Sequence, residues 1–520
     1  MCETNYPLSE FAILVNPRDN VAVVKTETWD GLCVRLGDGR EVRVRDAVPP
    51  GHRFAVRDIV AGEFVTQYGN AIGTSLGIEA GQQVTRANMS NDVPVIRDLP
   101  DDLRTPAPDY LELSERATFQ GFRRPDGRVG TRNFILIVPT SMCASHEAQQ
   151  ISMMAEFLHY SREKFPNVDG VVAIPHNKGC GCQDGSNLDV MLRTLANYAA
   201  HPNVGGVILM DLGCEKTNLE YVEKYLLKRE LEFQKPFAKI GIQDVGGTQN
   251  AIETGLRHVQ EMLPVANQTQ REEVPASELV LGVKCGGSDG FSGISANPAL
   301  GHAADWVVRN SGTVLLTEVP EFCGAEHILA NRAKDAATGR AVYAMVDWYK
   351  DYTARYGAEV SGNPSPGNIA GGLLNITIKS LGAIAKGGTT RVEDTLEYAE
   401  TPTKRGLNLM QGPGYDQESV PGLVAAGANV VVFTTGRGTT IGNAIAPVIK
   451  LASNTPVFER MNNDLDLSAG GIIDGTETIE QVGRRVFEHI CQVAGGTVQA
   501  KAEIHKHREF QFWAERGISL

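Results

Sequence analysis

The sequence predicts an α/β chain in which a small all-β module precedes two units built on parallel sheets. Three observations predict it. At about 150 residues per domain, 520 residues suggest about three domains. From about residue 118 onward, short apolar runs alternate with longer helix-like stretches, the pattern of a parallel sheet covered on both faces. Before that point the chain reads as short strands broken by turn signals, with little helical period.

Hydrophobic residues make up 42% and charged residues 21%, which excludes a disordered chain and leaves apolar material for more than one core. The net charge of −13 argues against nucleic acid or an anionic membrane as the main partner. A small anionic substrate stays compatible, because a local group of Lys and Arg can oppose the global field. The 55 glycines, over a tenth of the chain, suit many tight strand-to-helix turns. No stretch approaches the ~20 apolar residues needed to span a bilayer, so no membrane partner is expected. The first twenty residues lack a basic segment followed by an apolar run, so the expected compartment is the reducing cytoplasm. The nine cysteines are accordingly read as thiols or metal ligands rather than disulfides.

In the first module, residues 1–92, strands are expected at FAILV (11–15), NVAVVK (20–25), CVRLG (33–37), FAVRDI (54–59) and EFVTQYG (63–69). Asn16-Pro17 and Pro50-Gly51 mark turns between them. Residues 93–117 hold four prolines and no sustained periodicity, and read as a linker. In the unit at 118–265, FILIVPT, GVVAIP, GGVILMD and FAKIGIQ read as buried strands. HEAQQISMMAEFLHYSREKF (146–165) and SNLDVMLRTLANYAAH (186–201) read as helices. The polar stretch 261–278 divides this unit from a last one at 276–520. There ELVLGVK, TVLLT and VVVFTT are strands of a Rossmann-like variant, and TPVF (455–458) is a further short strand.

In doubly wound sheets ligands bind beyond the carboxyl ends of the strands. Four such ends lead to cysteines: FILIVPTSM to Cys143, GVVAIPHNKG to Cys180 and Cys182, GGVILMDLG to Cys214, and ELVLGVK to Cys285. Thiolates suit soft or borderline metals, and either a single iron or an iron–sulfur cluster fits this set. Around these cysteines lie His176 and Lys178, candidates for acid–base work. Cys285-Gly286-Gly287-Ser288-Asp289-Gly290 is expected to open a helix whose free N–H groups cradle a carboxylate or phosphate. Glu318 and Glu321 follow TVLLT, with His327 one to two turns on, and form a second candidate set for a divalent metal. Asn363 and Asn368 bracket a rigid NPSPGN turn. Arg437, after VVVFTT, can hold a carboxylate bidentately. GRGTTIG (436–442) before an expected helix also invites a nicotinamide reading, but its G-x-G-x-x-x-G spacing is one residue longer than the dinucleotide fingerprint.

Several longer motifs resemble the altronate and galactarate dehydratase family. They are CGGSDGFSGISANPALG (285–301), NPSPGN (363–368), KRGL (404–407), TTGRGT (434–439), GTRN (130–133), H-x-x-G-C at His176 to Cys180, and L-G-C-E ending at Glu215. The first module resembles that family's β-clip (SAF-type) domain, with PGHRFAVRDI (50–59) matching at His52. Within the family, LTEVPEFCGAEHIL (316–329) and HREFQFWAERGISL (507–520) are closer to the altronate branch, while Lys178 and Cys182 depart from its pattern.

The resemblance implies loss of water across C2 and C3 of D-altronate to give 2-dehydro-3-deoxy-D-gluconate. Galactarate, or a related aldarate or aldonate, is the alternative substrate. It also implies Fe2+, for which another divalent metal or an iron–sulfur cluster is the alternative. The expected base is His176 or Lys178, and His52 is the acid or a substrate contact. Gly286, Gly287, Ser288, Asp289, Asn363, Asn368 and Arg437 are the expected substrate contacts. Cys143, Cys180, Cys214 and Cys285 are the expected metal ligands, with Glu318, Glu321 and His327 as a competing oxygen-rich set. The chain is expected to work as a homodimer. A sugar-acid-binding protein that kept this fold without catalysis is the non-enzyme alternative.

Overall fold

The computed structural model describes residues 5–228 and 235–514. Cys2 and the last six residues of HREFQFWAERGISL lie outside them.

The two parallel sheets form where the apolar runs are continuous, because both faces of each strand are covered and no polar alternation is needed. In the middle unit the strands are β1 (Phe134–Pro139), β2 (Gly170–Ala173), β3 (Val204–Asp211) and β4 (Phe237–Gly241). They pair in parallel in the order β2-β1-β3-β4. All residues of β1, β2 and β3 are buried. Helices α1 (Ser145–Leu158), α2 (Ser186–Ala200), α3 (Leu219–Lys228) and α4 (Thr248–Ala266) connect or follow them. The helix expected at 146–165 stops at Leu158.

In the last unit the strands are β5 (Val280–Cys285), β6 (Thr313–Leu316), β7 (Val392–Leu396), β8 (Gly406–Met410), β9 (Val430–Thr435), β10 (Val448–Ala452) and β11 (Leu467–Ser468). All seven are parallel, in the order β7-β8-β6-β5-β9-β10-β11. The direction of winding reverses at β5. A crevice therefore opens between the carboxyl ends of β5 and β9, the place where doubly wound sheets bind ligands. In the middle unit the reversal lies between β1 and β3. Helices α5 (Ala296–Arg309), α6 (Ala336–Arg355), α7 (Asp416–Ala425), α8 (Thr455–Arg460) and α9 (Ile479–Ala494) pack in this unit. Thr478 and Gln481 start α9 with a reciprocal capping box.

Some expectations are corrected. TPVF begins α8 instead of forming a strand, since Asn454 caps it by accepting the Val457 N–H and Pro456 occupies its first turn. GRGTTIG is followed by loop and then β10, not by a helix, so the dinucleotide reading fails on its structural context. The divider at 261–278 is itself structured. Its first part completes α4, and strand Glu272–Pro275 pairs antiparallel with strand Thr118–Arg123. The Pro-rich 93–117 segment is strapped to the last unit: Arg97 pairs with Asp347, and the Thr105 hydroxyl donates to the Ala333 carbonyl. Cys33 lies in a disulfide, so the all-thiol reading fails there. Its strand pairs in parallel with the first described strand, Tyr6 opposite Val34.

The first module packs on the last unit through bare backbone. A Cβ on Gly51 would lie 2.7 Å from the Gly371 carbonyl oxygen, and one on Gly372 would lie 2.1 Å from that of Gly51. Both glycines have positive φ, +84° and +102°, which also favours glycine. Arg53, fully buried, donates from Nη2 to the Gly372 carbonyl at 2.7 Å. This seam presses the module against the loop that borders the crevice.

Candidate active site and metal centre

Beneath the β5–β9 crevice the strand ends assemble a buried ionic network. Lys284 and Cys285 finish β5, with relative exposures of 0% and 2%. Glu318 follows β6 with φ +76°, a left-handed conformation that costs a non-glycine residue about 1–3 kcal/mol. It accepts charged hydrogen bonds from Lys284 Nζ and Lys386 Nζ, 2.5 Å each, and the Cys285 N–H at 3.2 Å. Glu321, three residues on, pairs with Lys379 Nζ at 2.8 Å and accepts from the Cys285 thiol at 3.2 Å. Lys386 Nζ lies 3.0 Å from Cys285 Sγ. Asp416, opening α7, pairs with Lys284 Nζ at 2.8 Å. Three ammonium groups thus face three carboxylates around one thiol. A lone charge could not be buried here, but each cation compensates a carboxylate.

Burial, reinforced by Glu318 and Glu321, pushes the Cys285 thiol up to about 12. Burial also raises Glu318, helped by Glu321 and opposed by Lys284 and Lys386. At Glu321 burial works the other way from the lysines; Lys379, Lys386 and Lys284 win and hold it down to about 2. Burial opposes the charge on Lys284 and Lys386, yet the surrounding anionic groups hold both above the ordinary lysine range.

The ligand atoms of Cys285, Glu318 and Glu321 all lie within 4.8 Å of one another, the one such group of three among the described residues. A thiol with two carboxylates suits a borderline divalent ion. The buried hydroxyls of Ser288 and Thr317, beside these strand ends, have no hydrogen-bond partner. The donor set therefore fits a metal.

Three loops wall the crevice. Asn368 Nδ2 donates to the Ser288 carbonyl at 2.8 Å, and the Gly436 N–H to the Gly287 carbonyl at 3.1 Å. Arg437 is exposed between them; Cβ positions on Gly287 and Gly367 would lie 3.7 and 3.8 Å from its Cβ and Nε. Asn363 Oδ1 accepts from Lys379 Nζ at 2.8 Å, tying the NPSPGN turn to Glu321. Two expectations change. The 285–290 loop opens no helix, because α5 begins only at Ala296. Asp289 faces inward: its carboxylate accepts from the Phe291 and Ser292 N–H groups, the Ser292 and Ser453 hydroxyls and Asn454 Nδ2. It organises the loop chiefly through Oδ1, which takes four of these five bonds, while Oδ2 accepts from Asn454 alone.

The four expected cysteine ligands are divided between the two sheets. Cys285 sits in the ionic network, while Cys143, Cys180 and Cys214 are exposed at the ends of β1, β2 and β3. His327 is half-buried on a short helix (Glu326–Asn331) and lies outside the Cys285 group. His176 is buried, with Nε2 donating to the Pro139 carbonyl at 2.9 Å and Nδ1 accepting the Lys178 N–H at 3.2 Å. Burial, only partly offset by the Pro139 bond, lowers its pKa to about 4. Both ring nitrogens are engaged by backbone, which removes His176 as a proton acceptor and makes it a loop pin. His52 donates from Nε2 to the Ala370 carbonyl at 3.1 Å, beside the wall loop. Lys178 faces Glu418 on α7, whose carboxyl burial raises to about 7 against the pull of Lys178.

Lys284, Lys379, Lys386, Asp416 and Glu418 escaped the sequence reading. A signal existed for two of them. Lys284 in VLGVKC and Lys386 in LGAIAKGG are single charges in apolar runs, and a buried charge requires a partner.

Similarity to known proteins follows the same division. The chain matches the SAF domain of altronate/galactarate dehydratases over residues 10–92. It matches the second domain of D-galactarate dehydratase/altronate hydrolase over 121–267, and the C-terminal domain of D-galactarate/altronate dehydratase over 276–517. It is 34% identical to an altronate dehydratase of Bacillus subtilis over 98% of this chain and 99% of that protein. It is 36% identical to an altronate dehydratase of Escherichia coli, again over 98% and 99%. Against the L-threo-forming galactarate dehydratase of Escherichia coli it is 38% identical over 94% of this chain and 93% of that one.

Proposed function

This chain belongs to the family of D-galactarate and altronate dehydratases, which are hydro-lyases, and we propose that it dehydrates D-altronate to 2-dehydro-3-deoxy-D-gluconate. The observation that carries this reading is the buried group of Cys285, Glu318 and Glu321 with three lysines, set under the β5–β9 crevice that Arg437 borders.

The proton on a carbon next to a carboxylate is weakly acidic, so the enolate needs concentrated positive charge. Lys284, Lys379 and Lys386 hold such charge in a water-poor floor. Arg437 and the backbone of Gly286 to Ser288 hold the substrate carboxylate at the rim, with Asn363 and Asn368 fixing the facing turn. A divalent metal at Cys285, Glu318 and Glu321, iron being the ion proposed, would supply Lewis-acid polarisation of the substrate carboxylate and hydroxyl. Lys379 and Lys386 carry protons beside this centre, and one of them protonates the leaving C3 oxygen. Lys178, as the neutral amine, accepts the C2 proton and becomes the ammonium that faces Glu418. His52 acts through Ala370 as a positioning residue.

Galactarate is the second reading, favoured by the 38% identity to a galactarate dehydratase. An anaerobic assay of 2-keto-3-deoxy product from altronate, galactarate and related acids, with metal analysis on the same sample, decides between them. A higher kcat/KM for galactarate would replace the altronate assignment.

A homodimer is the proposed assembly, supported by Met153 and Phe157, exposed one turn apart on α1 at 67% and 87%. The cytoplasm is the proposed compartment, supported by seven free cysteines among the described residues, the disulfide at Cys33 being the exception.

A further inference from the structure

We propose that Cys143, Cys180 and Cys214 form a second thiolate centre, separate from the Cys285 group, that holds an iron–sulfur cluster. The inference concerns the middle unit and does not rest on the dehydratase reading.

The three cysteines lie in the loops that follow three adjacent strands, β2-β1-β3. They flank the point where that sheet reverses its winding, so the loops cannot diverge around an intervening strand. The loops are also stitched to one another. The Met142 N–H donates to the Lys178 carbonyl at 2.7 Å, joining the Cys143 and Cys180 loops. Buried Glu215, next to Cys214, accepts from the Thr140 and Ser141 hydroxyls at 3.0 and 2.7 Å and from the Leu212 and Gly213 N–H groups. A Cβ on Gly179 would lie 2.5 Å from Ser141 Cβ and 2.9 Å from Thr217 Oγ1, so all three loops meet at that glycine. With φ +113° there, the chain turns Cys180 outward.

All three thiols are exposed, against the strong tendency of free cysteine to be buried. Lys178 and Lys216 lie near neighbouring Cys182, Lys216 being paired with Asp184 at 3.1 Å. The spacing of the three thiols argues against a single tetrahedral ion. A single tetrahedral ion with metal–sulfur bonds of about 2.3 Å needs its sulfurs within about 4.6 Å of one another. These three sulfurs are not all within 4.8 Å. A cluster of several irons bridges wider gaps with the same soft ligands.

The test is anaerobic loading of the full chain with ferrous and ferric iron and sulfide. Iron, acid-labile sulfide and the visible charge-transfer band are then measured for wild type, Cys180→Ser, Cys214→Ser and Cys285→Ser. The expected result is sulfide and the band in wild type and Cys285→Ser, with loss of both in the other two variants. Because Cys180 and Cys214 are exposed, circular dichroism should show those two variants folded. A parallel readout follows alkylation by iodoacetamide: Cys143, Cys180 and Cys214 react before loading and are protected after it. Wild type that binds iron without acid-labile sulfide, sulfide retained by Cys180→Ser and Cys214→Ser, or thiols still alkylated after loading would each overturn the proposal.

Discussion

Lys386 Nζ lies 3.0 Å from Cys285 Sγ, and the same ammonium pairs with Glu318, all three side chains being shut away from water. Replacing Lys386 by Met leaves Glu318 and Cys285 with one cation fewer in a dry site. Breaking one partner of a buried ionic group costs about 3–5 kcal/mol. Denaturant unfolding of metal-free Lys386→Met should show a loss of that order. A loss below about 1 kcal/mol would mean that the network is hydrated in solution.

Glu318→Gln and Glu321→Gln remove anionic donors while keeping shape. Each should lower bound metal on isolated protein and reduce kcat by about a hundredfold or more. Metal content by elemental analysis checks the first effect and steady-state kinetics the second. Unchanged metal content in both would place the ion elsewhere.

Arg437→Lys keeps the charge and loses the planar fork. Because Arg437 is exposed, the fold should be indifferent, while KM for the sugar acid should rise about tenfold or more. An unaltered KM would remove Arg437 from the carboxylate clamp.

His176 links pH to stability. Its folded pKa of about 4 lies below the ordinary 6.5, so between those values the unfolded chain binds more protons than the folded one. The contribution is fully present above pH 6.5 and is lost as pH falls towards 4, amounting to about 3 kcal/mol in all. His176→Gln should flatten this part of the stability–pH curve, measured by urea unfolding across the window. Glu321 adds a separate loss at lower pH, as acid passes from its ordinary 4.5 down to about 2.

The parallel sheets were legible because buried strands such as FILIVP and VVVFTT need no polar alternation. TPVF misled because four apolar-leaning residues carry no period, and only the Asn454 cap and Pro456 identify a helix start. In the candidate site, Cys285, Glu318 and Glu321 were each legible at strand ends. Which cysteine joins which carboxylate was not, because that depends on strand order: β6 neighbours β5, whereas β1 to β3 belong to another sheet. The lysines come from β5, the helix Ile376–Ala383 and the turn after it, and no local pattern announces that they converge.

Gly51 and Gly372 meet backbone to backbone, and such a joint has no side chain that could repack if the two surfaces drifted apart. The β-module and the last unit should therefore lose structure as one cooperative block. A calorimetric trace should resolve no early transition for the module alone, and its amides should share the slow hydrogen exchange of β5.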